Sequence, residues 1–203
     1  MPRTKPSRPL KRITKLKRKL LKSFRVTGQK IFLRPLTAED GNQRYCSWMN
    51  DPEVTRYTES RYSHKTVTGL KRYIADANRG TSNFFFAIVE KATGRHVGNI
   101  KIESAVNPFW DHRVAEIGLI IGEKNCWGKG YATEAIRLMT RFCFNVLKLR
   151  KVTAQCYSIN IGSAKAFRAA GYARECLRRA NAYCNGRQID VLLFGAINPR
   201  FKR

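Results

Sequence analysis

A glycine-rich turn between an apolar strand and a long helix is the part of this sequence best suited to chemistry. Residues 116–122 are apolar or glycine apart from Glu116, a pattern typical of a strand buried on both faces. Gly128 and Gly130 follow where the chain must turn tightly. Apolar residues then recur every three or four positions, which predicts a helix over residues 133–147. A helix that begins after such a loop directs free N–H groups and its positive dipole end at one spot, so this stretch predicts a phosphate site.

Two common phosphate-binding motifs do not fit this loop. A P-loop requires G-x-x-x-x-G-K-[ST], whereas here Lys129 precedes Gly130 and no hydroxyl follows at the required position. The dinucleotide-binding pattern G-x-G-x-x-G is broken because Thr133 stands in place of the third glycine. Taken alone, the loop is explained equally well as a plain turn between a strand and a helix.

Residues 127–135, W-G-K-G-Y-A-T-E-A, resemble the coenzyme A pyrophosphate loop of the GNAT superfamily of acetyl-CoA-dependent N-acetyltransferases. Gly130 and Ala132 match the last two fixed positions of the superfamily pattern [QR]-x-x-G-x-[GA], and Trp127 stands where Gln or Arg is usual. The sequence W-G-K-G-Y-A-T-E-A is frequent in the branch that contains the ribosomal-protein N-terminal acetyltransferases. The similarity extends from about residue 31 to about residue 198.

The order of the elements predicts a single α+β domain, and the resemblance makes it a GNAT-like domain with a mixed, mostly antiparallel central sheet flanked by helices. One predicted helix begins at Thr37 and runs to about Asn50, where a proline follows closely. The other predicted helices are residues 66–79, 133–147 and 160–171, and the predicted strands are residues 31–35, 83–90, 96–104, 114–122, 152–157, 172–178 and 189–197.

The resemblance implies acetyl-CoA as co-substrate, no metal, and three groups of coenzyme contacts. These are the backbone of the central strand, the phosphate loop, and the start of the helix in the segment N-x-x-[SA]. Alone, an asparagine at a helix start is more often a cap, but at the family spacing we expect it to contact the coenzyme. The predicted contacts are Ile117, Leu119, Ile121, Lys124, Trp127, Gly128, Lys129, Gly130, Tyr131, Ala132, Thr133, Asn160 and Ser163.

Acetyl transfer to an amine requires a deprotonated amine, fixed N–H donors for the developing oxyanion and a proton for the departing thiolate. The resemblance assigns the N–H donors to the backbone within residues 117–121 and makes Glu116 the first candidate for the base. A structural hydrogen-bond acceptor is an equal alternative for that glutamate. Phe167 stands where many members of the superfamily have a tyrosine that acts as the general acid, and a phenylalanine has no proton to give. Ser163 is therefore the candidate acid, and water would also suffice.

The segment after the first helix lines the acceptor pocket in this branch, so Tyr57 and Arg61 are candidate substrate contacts. Asp190, in a late strand, is a candidate counter-charge for the amine. Asp111 and His112 are better explained as surface-loop residues. Two acceptors stay open, the α-amine of a protein N-terminus and an amino sugar carried on a nucleotide. A non-catalytic RNA-binding or CoA-binding regulatory module on the same fold is the alternative to an acyltransferase.

The chain has 203 residues and a net charge of +26, and its first 30 residues contain 12 Lys or Arg and no acidic residue. We therefore expect a basic N-terminal extension over residues 1–27, flexible or amphipathic, and an acetyltransferase domain over residues 28–203. A basic extension favours RNA, the ribosome or an anionic membrane surface as partner.

The chain lacks an apolar run of 18 residues, so no transmembrane segment is expected, and it lacks a secretory leader pattern. The six cysteines form no C-x-x-C and no zinc-like cluster, which favours reduced, buried thiols and no metal. We accordingly expect a cytoplasmic monomer or dimer. The alternative location is a peripheral one, at a membrane surface or at the ribosome.

Overall fold

The computed structural model describes Lys17 and residues 24–80, 83–103 and 112–201. Within these residues eight strands form one sheet in the order β1-β2-β3-β4-β5-β6-β8-β7. Neighbouring strands are antiparallel except β5 and β6, so the predicted mixed, mostly antiparallel sheet is confirmed. The strands are β1 Val26–Thr27, β2 Ile31–Pro35, β3 Phe84–Glu90, β4 His96–Glu103, β5 Val114–Ile121, β6 Lys151–Tyr157, β7 Ala173–Cys184 and β8 Arg187–Ile197.

Five α-helices cover the two faces of the sheet within the same described ranges. The first three, α1–α3, pack on one face together with Phe85, Ala87 and Val89 of β3. Helices α4 and α5 pack on the other face, against Phe84 and Phe86 of the same strand. A strand buried on both faces has to be apolar throughout, and β3 is apolar except at its last residue. The helices are α1 Gln43–Asn50, α2 Pro52–Thr55, α3 Val67–Arg79, α4 Tyr131–Asn145 and α5 Ile161–Ala169.

The prediction of one helix from Thr37 to about Asn50 is wrong. Thr37 instead begins a single 3-10 turn, Ala38–Asp40, and α1 starts later with Asn42 as its N-cap. The break lies at Gly41, whose backbone leaves the helical region, and Asn42 then caps α1. The Asp40 carboxylate accepts a hydrogen bond from the Thr37 N–H at 2.8 Å and pairs with Arg34, which holds the short turn on β2.

Part of the predicted extension packs against the domain. Val26 and Thr27 pair with Leu33 and Phe32 of β2. Phe24 lies on the core, with its ring centroid 4.8 Å from that of Phe142 in α4. The rest of the predicted extension lies outside the described residues, Lys17 excepted. The Lys17 ammonium donates to the Ala77 carbonyl at 2.7 Å, near the C-terminal end of α3.

Candidate active site

The parallel strands β5 and β6 separate after a short paired stretch. They pair only at Val114, Ala115 and Glu116, although β5 continues to Ile121 and β6 to Tyr157. On its other edge β5 remains paired with β4 through Ile121. Peptide groups of β5 beyond the paired stretch therefore direct N–H and C=O groups into a gap in the sheet.

A cavity of about 790 Å³ opens at this gap. Gly118, Leu119 and Ile120 of β5 form one wall, and Cys156 and Tyr157 of β6 form the facing wall. The cavity extends past the start of α5 on one side and under α3 on the other. Its lining also includes Tyr57, Tyr73, Asn99, Lys101, Asn160 and Ser163. It therefore joins the predicted thioester segment to the predicted acceptor side.

The glycine-rich loop leads into α4 as predicted. Gly128 and Gly130 have φ angles of +74° and +84°, in the left-handed region that favours glycine. The helix begins directly after Gly130, and the backbone N–H groups of Tyr131, Ala132 and Thr133 meet no acceptor in the part of the chain that the structure describes. Such a set of free donors at a helix N-terminus suits phosphate oxygens.

Side-chain bonds fix this loop to its surroundings. The Trp127 indole donates to the Ile121 carbonyl at 2.8 Å, which links the loop to the end of β5. The Tyr131 hydroxyl donates to Glu90 at 2.5 Å, and this bond raises the pKa of Tyr131 to about 12. Lys129 has an exposed side chain, and its carbonyl accepts a hydrogen bond from the Lys30 ammonium at 2.9 Å.

Lys124, a predicted coenzyme contact, lies against the N-terminal end of α2. Its ammonium is 2.9 Å from Asp51 Oδ2 and 3.0 Å from Glu53 Oε2. Hydrogen bonds first to Asp51 and then to Glu53 raise the pKa of Lys124. Two carboxylates therefore already neutralise the charge that the sequence assigned to a phosphate.

At the start of α5, Asn160 caps the helix and also lies where a contact with the coenzyme was predicted. Its Oδ1 accepts a hydrogen bond from the Ser163 N–H at 3.1 Å, so Asn160 is an N-cap, and both residues also line the cavity. The Ser163 side chain contacts the Cys156 thiol, whose pKa is raised by burial. Phe167 stacks on Phe194 at 5.6 Å and is 1% exposed, so it belongs to the core.

Glu116 stands at the point where β5 and β6 separate. Its partners in register are Thr153 in β6 and Glu103 in β4. Lys101 extends over Gly118 and donates to Glu103 at 2.8 Å. Burial acts to lower the pKa of Lys101, but the bond to Glu103 and nearby negative charges, including Glu116, outweigh it and raise that pKa. The predicted base is thus part of a charged cluster at the end of the gap.

The three predicted substrate contacts have different positions. Tyr57 lines the cavity. Arg61 donates to the Tyr157 hydroxyl at 3.2 Å and to the Tyr183 carbonyl at 2.9 Å, which ties the segment before α3 to β6 and β7. Asp190 accepts a hydrogen bond from the backbone of β7 and lies outside the cavity lining. Of the two loop residues, Asp111 lies outside the described residues and His112 is exposed.

Sequence reasoning missed two polar residues of β4 that line the cavity, Asn99 and Lys101. Polar residues alternate there with the buried Ile100 and Ile102, as in a strand with one solvated face. That alternation was the available signal, but it could not show that the polar face is covered by α1 and α3.

The described residues contain no cluster of three His, Cys, Asp or Glu side chains suited to a metal ion. Their helices include none that is long and apolar enough to cross a membrane. All six cysteines are free, and Cys176 is exposed whereas the other five are buried.

Comparisons with known proteins agree on one family. A family model described as an acetyltransferase (GNAT) domain matches residues 30–188. An uncharacterized N-acetyltransferase, p20 of Bacillus licheniformis, is 28% identical over 182 residues, covering 85% of this chain and 96% of that protein.

Two solved structures share the fold. The ribosomal-protein-S5-alanine acetyltransferase of Vibrio fischeri superposes with a TM-score of 0.76 at 20% identity, covering 89% of this chain and all of that one (100%). The spermidine N-acetyltransferase of Vibrio cholerae, solved in complex with CoA and spermine, gives a TM-score of 0.74 at 19% identity, covering 84% of this chain and 97% of that one.

Proposed function

Because this chain belongs to the GNAT acetyltransferase family, in which an acetyl group passes from acetyl-CoA to an amine, we propose that the amine attacks acetyl-CoA directly in the gap between β5 and β6. The predicted family and fold are confirmed, and the chain is an acetyl-CoA-dependent N-acetyltransferase, a transferase of the acyltransferase class. The single observation that carries the proposed mechanism is the separation of β5 from β6 beside a cavity that reaches both predicted sides of the reaction.

The residues present fit acetyl-CoA as co-substrate. The free N–H groups at the start of α4 suit the pyrophosphate, and the gap offers unpaired β5 peptide groups to the pantetheine arm and the thioester. Asn160 and Ser163 stand on the opposite side of that path. Because Lys124 is paired with Asp51 and Glu53, we propose that the loop backbone, with Lys129, supplies most of the attraction for phosphate.

The proposed reaction forms a C–N bond and breaks the C–S bond of the thioester. Glu116 accepts the proton that the amine must lose, directly or through water. N–H groups of β5 within residues 117–121 stabilise the negative charge that develops on the carbonyl oxygen. The leaving thiolate takes a proton from Ser163 or from water. Such a route requires both substrates to be bound together and needs no cysteine nucleophile.

The charges of the cavity favour an acceptor that is not a polycation. Among the described lining residues, Glu59 is the one carboxylate, and the Tyr157 hydroxyl already donates to it. Lys65 and Lys101 also belong to the lining, and the Lys101 ammonium is paired with Glu103. A net charge of +26 further opposes the approach of a polyamine. We therefore propose an amine on an anionic carrier, an amino-sugar nucleotide, with a protein α-amine as the second candidate.

The test is acetyl-CoA consumption, followed by thiol release, with amino-sugar nucleotides, N-terminal peptides and spermidine as acceptors. We expect turnover with a nucleotide-linked amino sugar and little with spermidine. Glu116→Gln should lower kcat by about 10²-fold or more, whereas Glu39→Gln, on the exposed 3-10 turn, should not change it. Turnover with peptides alone would replace the sugar by a protein acceptor. Acetyl-CoA binding without turnover of any amine would favour a regulatory binder.

We propose that the basic extension contacts an anionic surface, RNA or membrane, separately from catalysis. Residues 1–16 contain six Lys or Arg and no acidic residue. Deletion of residues 1–16 should leave turnover unchanged while binding to RNA or to anionic vesicles weakens and loses its steep dependence on salt. Unchanged binding after the deletion would contradict this proposal.

A further inference from the structure

We infer that the side-chain amide of Asn99 binds an oxygen atom of the acceptor substrate, and that His96 holds the amide in position for it. The inference rests on the proposed function, because Asn99 lines the cavity in which the amine is expected to bind. It specifies the class of acceptor as an amine that carries a carbonyl or hydroxyl oxygen close to its nitrogen.

The orientation of the Asn99 amide follows from its neighbour. The His96 Nε2 lies 2.9 Å from the Gly98 carbonyl and 2.8 Å from Asn99 Oδ1. A carbonyl oxygen can only accept a hydrogen bond, so Nε2 has to carry the ring proton. The same N–H therefore faces the Asn99 oxygen, and the amide NH₂ group is directed away from the ring.

The histidine is itself firmly fixed. Its side chain is 9% exposed, and the Trp48 ring packs against it edge to face at 5.0 Å. Its Nδ1 lies 3.7 Å from Asp40 Oδ1, and Asp40 is in turn paired with Arg34 at 2.6 Å. The packing of Trp48 on the ring and the hydrogen bonds of Nε2 leave the Asn99 amide little freedom to rotate.

The Asn99 nitrogen is a buried donor without a partner. Asn99 is 2% exposed, and its Nδ2 has no hydrogen-bond acceptor among the described residues. An unpaired buried donor destabilises the folded state, and such groups in native proteins call for a specific explanation. Because Asn99 is one of the residues that line the acceptor cavity, an oxygen of the bound acceptor is the partner that we infer for this donor.

The amide NH₂ group of Asn99 donates hydrogen bonds, so its partner has to carry an acceptor atom such as oxygen. An amino sugar offers hydroxyl oxygens next to its amine, and a peptide N-terminus offers the carbonyl of its first residue. A polyamine or simple alkylamine offers none. A site built to hydrogen-bond an oxygen rejects the analogue that lacks it, since the protein group is then left buried and unpaired.

The test compares matched acceptors on the full-length protein. Glucosamine is paired with cyclohexylamine, and alaninamide with a branched alkylamine of the same shape. We expect the wild type to prefer the oxygen-bearing member of each pair by at least tenfold in kcat/KM. In Asn99→Ala and in Asn99→Leu, which keeps the number and branching of the side-chain heavy atoms, the acceptor KM should rise at least tenfold and the preference should shrink, with the KM for acetyl-CoA unchanged.

Thermal unfolding of the free protein supplies an independent readout. Asn99→Leu removes the unpaired donor, while the Gly98 carbonyl remains available to His96. We expect its melting temperature to be equal to or above that of the wild type. A clear fall in melting temperature with an unchanged acceptor KM would show a purely structural role. An unchanged preference between the paired amines in the variants would also overturn the inference.

The two proposals fail in different ways. If the wild type turns over no amine, the proposed function fails. The role of Asn99 is then tested by the binding of glucosamine to the free protein. Glucosamine should then raise the melting temperature of the wild type more than that of Asn99→Ala. Equal shifts would reject the role of Asn99.

Discussion

The Asp190 carboxylate accepts a hydrogen bond from the Ala180 N–H at 2.9 Å, across the pair of strands β7 and β8. Ala180 has a φ angle of +47°, in the left-handed region where a non-glycine residue is strained. The register shifts here, since Arg178 pairs with Val191 but Ala182 pairs with Ile189. Asp190 thus faces a bulge in β7.

This bulge has a direct relation to the acceptor cavity. Asn181 in the bulge and Ala182 directly after it line the cavity, whereas Asp190 does not. A β-bulge commonly redirects a side chain next to a functional site. We therefore propose that Asp190 is a positioning residue, which differs from its predicted role as a counter-charge for the amine.

Substitutions at Asp190 separate these two roles. An asparagine keeps an oxygen that can accept from Ala180, so Asp190→Asn should retain near wild-type acceptor KM, whereas Asp190→Ala should raise it about tenfold. Adding Ala180→Gly to Asp190→Ala should recover much of the loss, because glycine adopts positive φ without strain. Steady-state kinetics for both substrates measure this. Equal loss in Asp190→Asn and Asp190→Ala would support the counter-charge role instead.

The ion pairs of Lys124 predict a small role in coenzyme affinity. Because Asp51 and Glu53 neutralise its charge, Lys124→Met should weaken acetyl-CoA binding less than threefold. Lys129→Met removes an exposed lysine of the phosphate loop, so it should weaken acetyl-CoA binding more than Lys124→Met does. The affinity of this variant for the coenzyme should also depend less on salt. Calorimetric titration with CoA at low and high salt gives both values. The reverse order would show that Lys124 leaves its carboxylates when CoA binds.

The start of α5 allows two functions to be separated. Ser163→Ala removes the hydroxyl but keeps the backbone N–H that Asn160 caps, so it should lower kcat with little change in the KM for acetyl-CoA. Asn160→Ala removes the cap, which costs about 1 kcal/mol of stability, and should raise the KM for acetyl-CoA. Urea unfolding combined with steady-state kinetics checks both. An unchanged kcat in Ser163→Ala would leave water as the acid.

The pair of Arg34 and Asp40 predicts a pH-dependent contribution to stability. Burial acts to raise the pKa of Asp40, but hydrogen bonds from Arg34 and the Thr37 N–H outweigh it and hold that pKa below its usual 3.8. A carboxyl whose pKa is lower in the folded state stabilises the fold above its unfolded pKa and loses that contribution as the pH falls through the folded pKa.

Asp40→Asn should therefore destabilise the protein by about 2–3 kcal/mol at neutral pH, because it leaves a partly buried guanidinium without its charged partner. Relative to the wild type, the loss should shrink as the pH falls below 3.8. The exposed pair of Asp76 and Arg79 provides the control, and Asp76→Asn should cost about 0.5 kcal/mol or less. Urea unfolding at several pH values measures both variants. A loss that does not depend on pH would assign the effect to packing.

The sequence predicted the elements whose signals are local. The apolar run of β5, the glycines of the phosphate loop and the helical spacing of α4 are contiguous, so strand, turn and helix were all expected where they occur. Gly171, the last residue of the helix predicted over residues 160–171, has a φ angle of +95°, as suits a glycine that ends a helix. The family resemblance added the mixed, mostly antiparallel character of the sheet, which spacing alone does not determine; the order of its strands was not predicted.

The features that escaped prediction depend on residues far apart in the chain. Lys124 pairs with Asp51 and Glu53, which lie about 70 positions earlier in the chain. The sequence around Lys124 therefore contains no signal that its charge is neutralised. Asn99 looks like a solvated strand residue until α1 and α3 are placed over it. Tertiary partners decide the state of each of these side chains.

The short contact between β5 and β6 also links the lifetime of the protein to its substrate. Three residue pairs join the two parts of the sheet, and a molecule bound across the gap would connect them further. A ligand that binds only the folded state stabilises it by about 2.7 kcal/mol at a hundred times its dissociation constant. We therefore expect degradation by proteases to slow when acetyl-CoA is abundant, so that the amount of enzyme follows the supply of its donor.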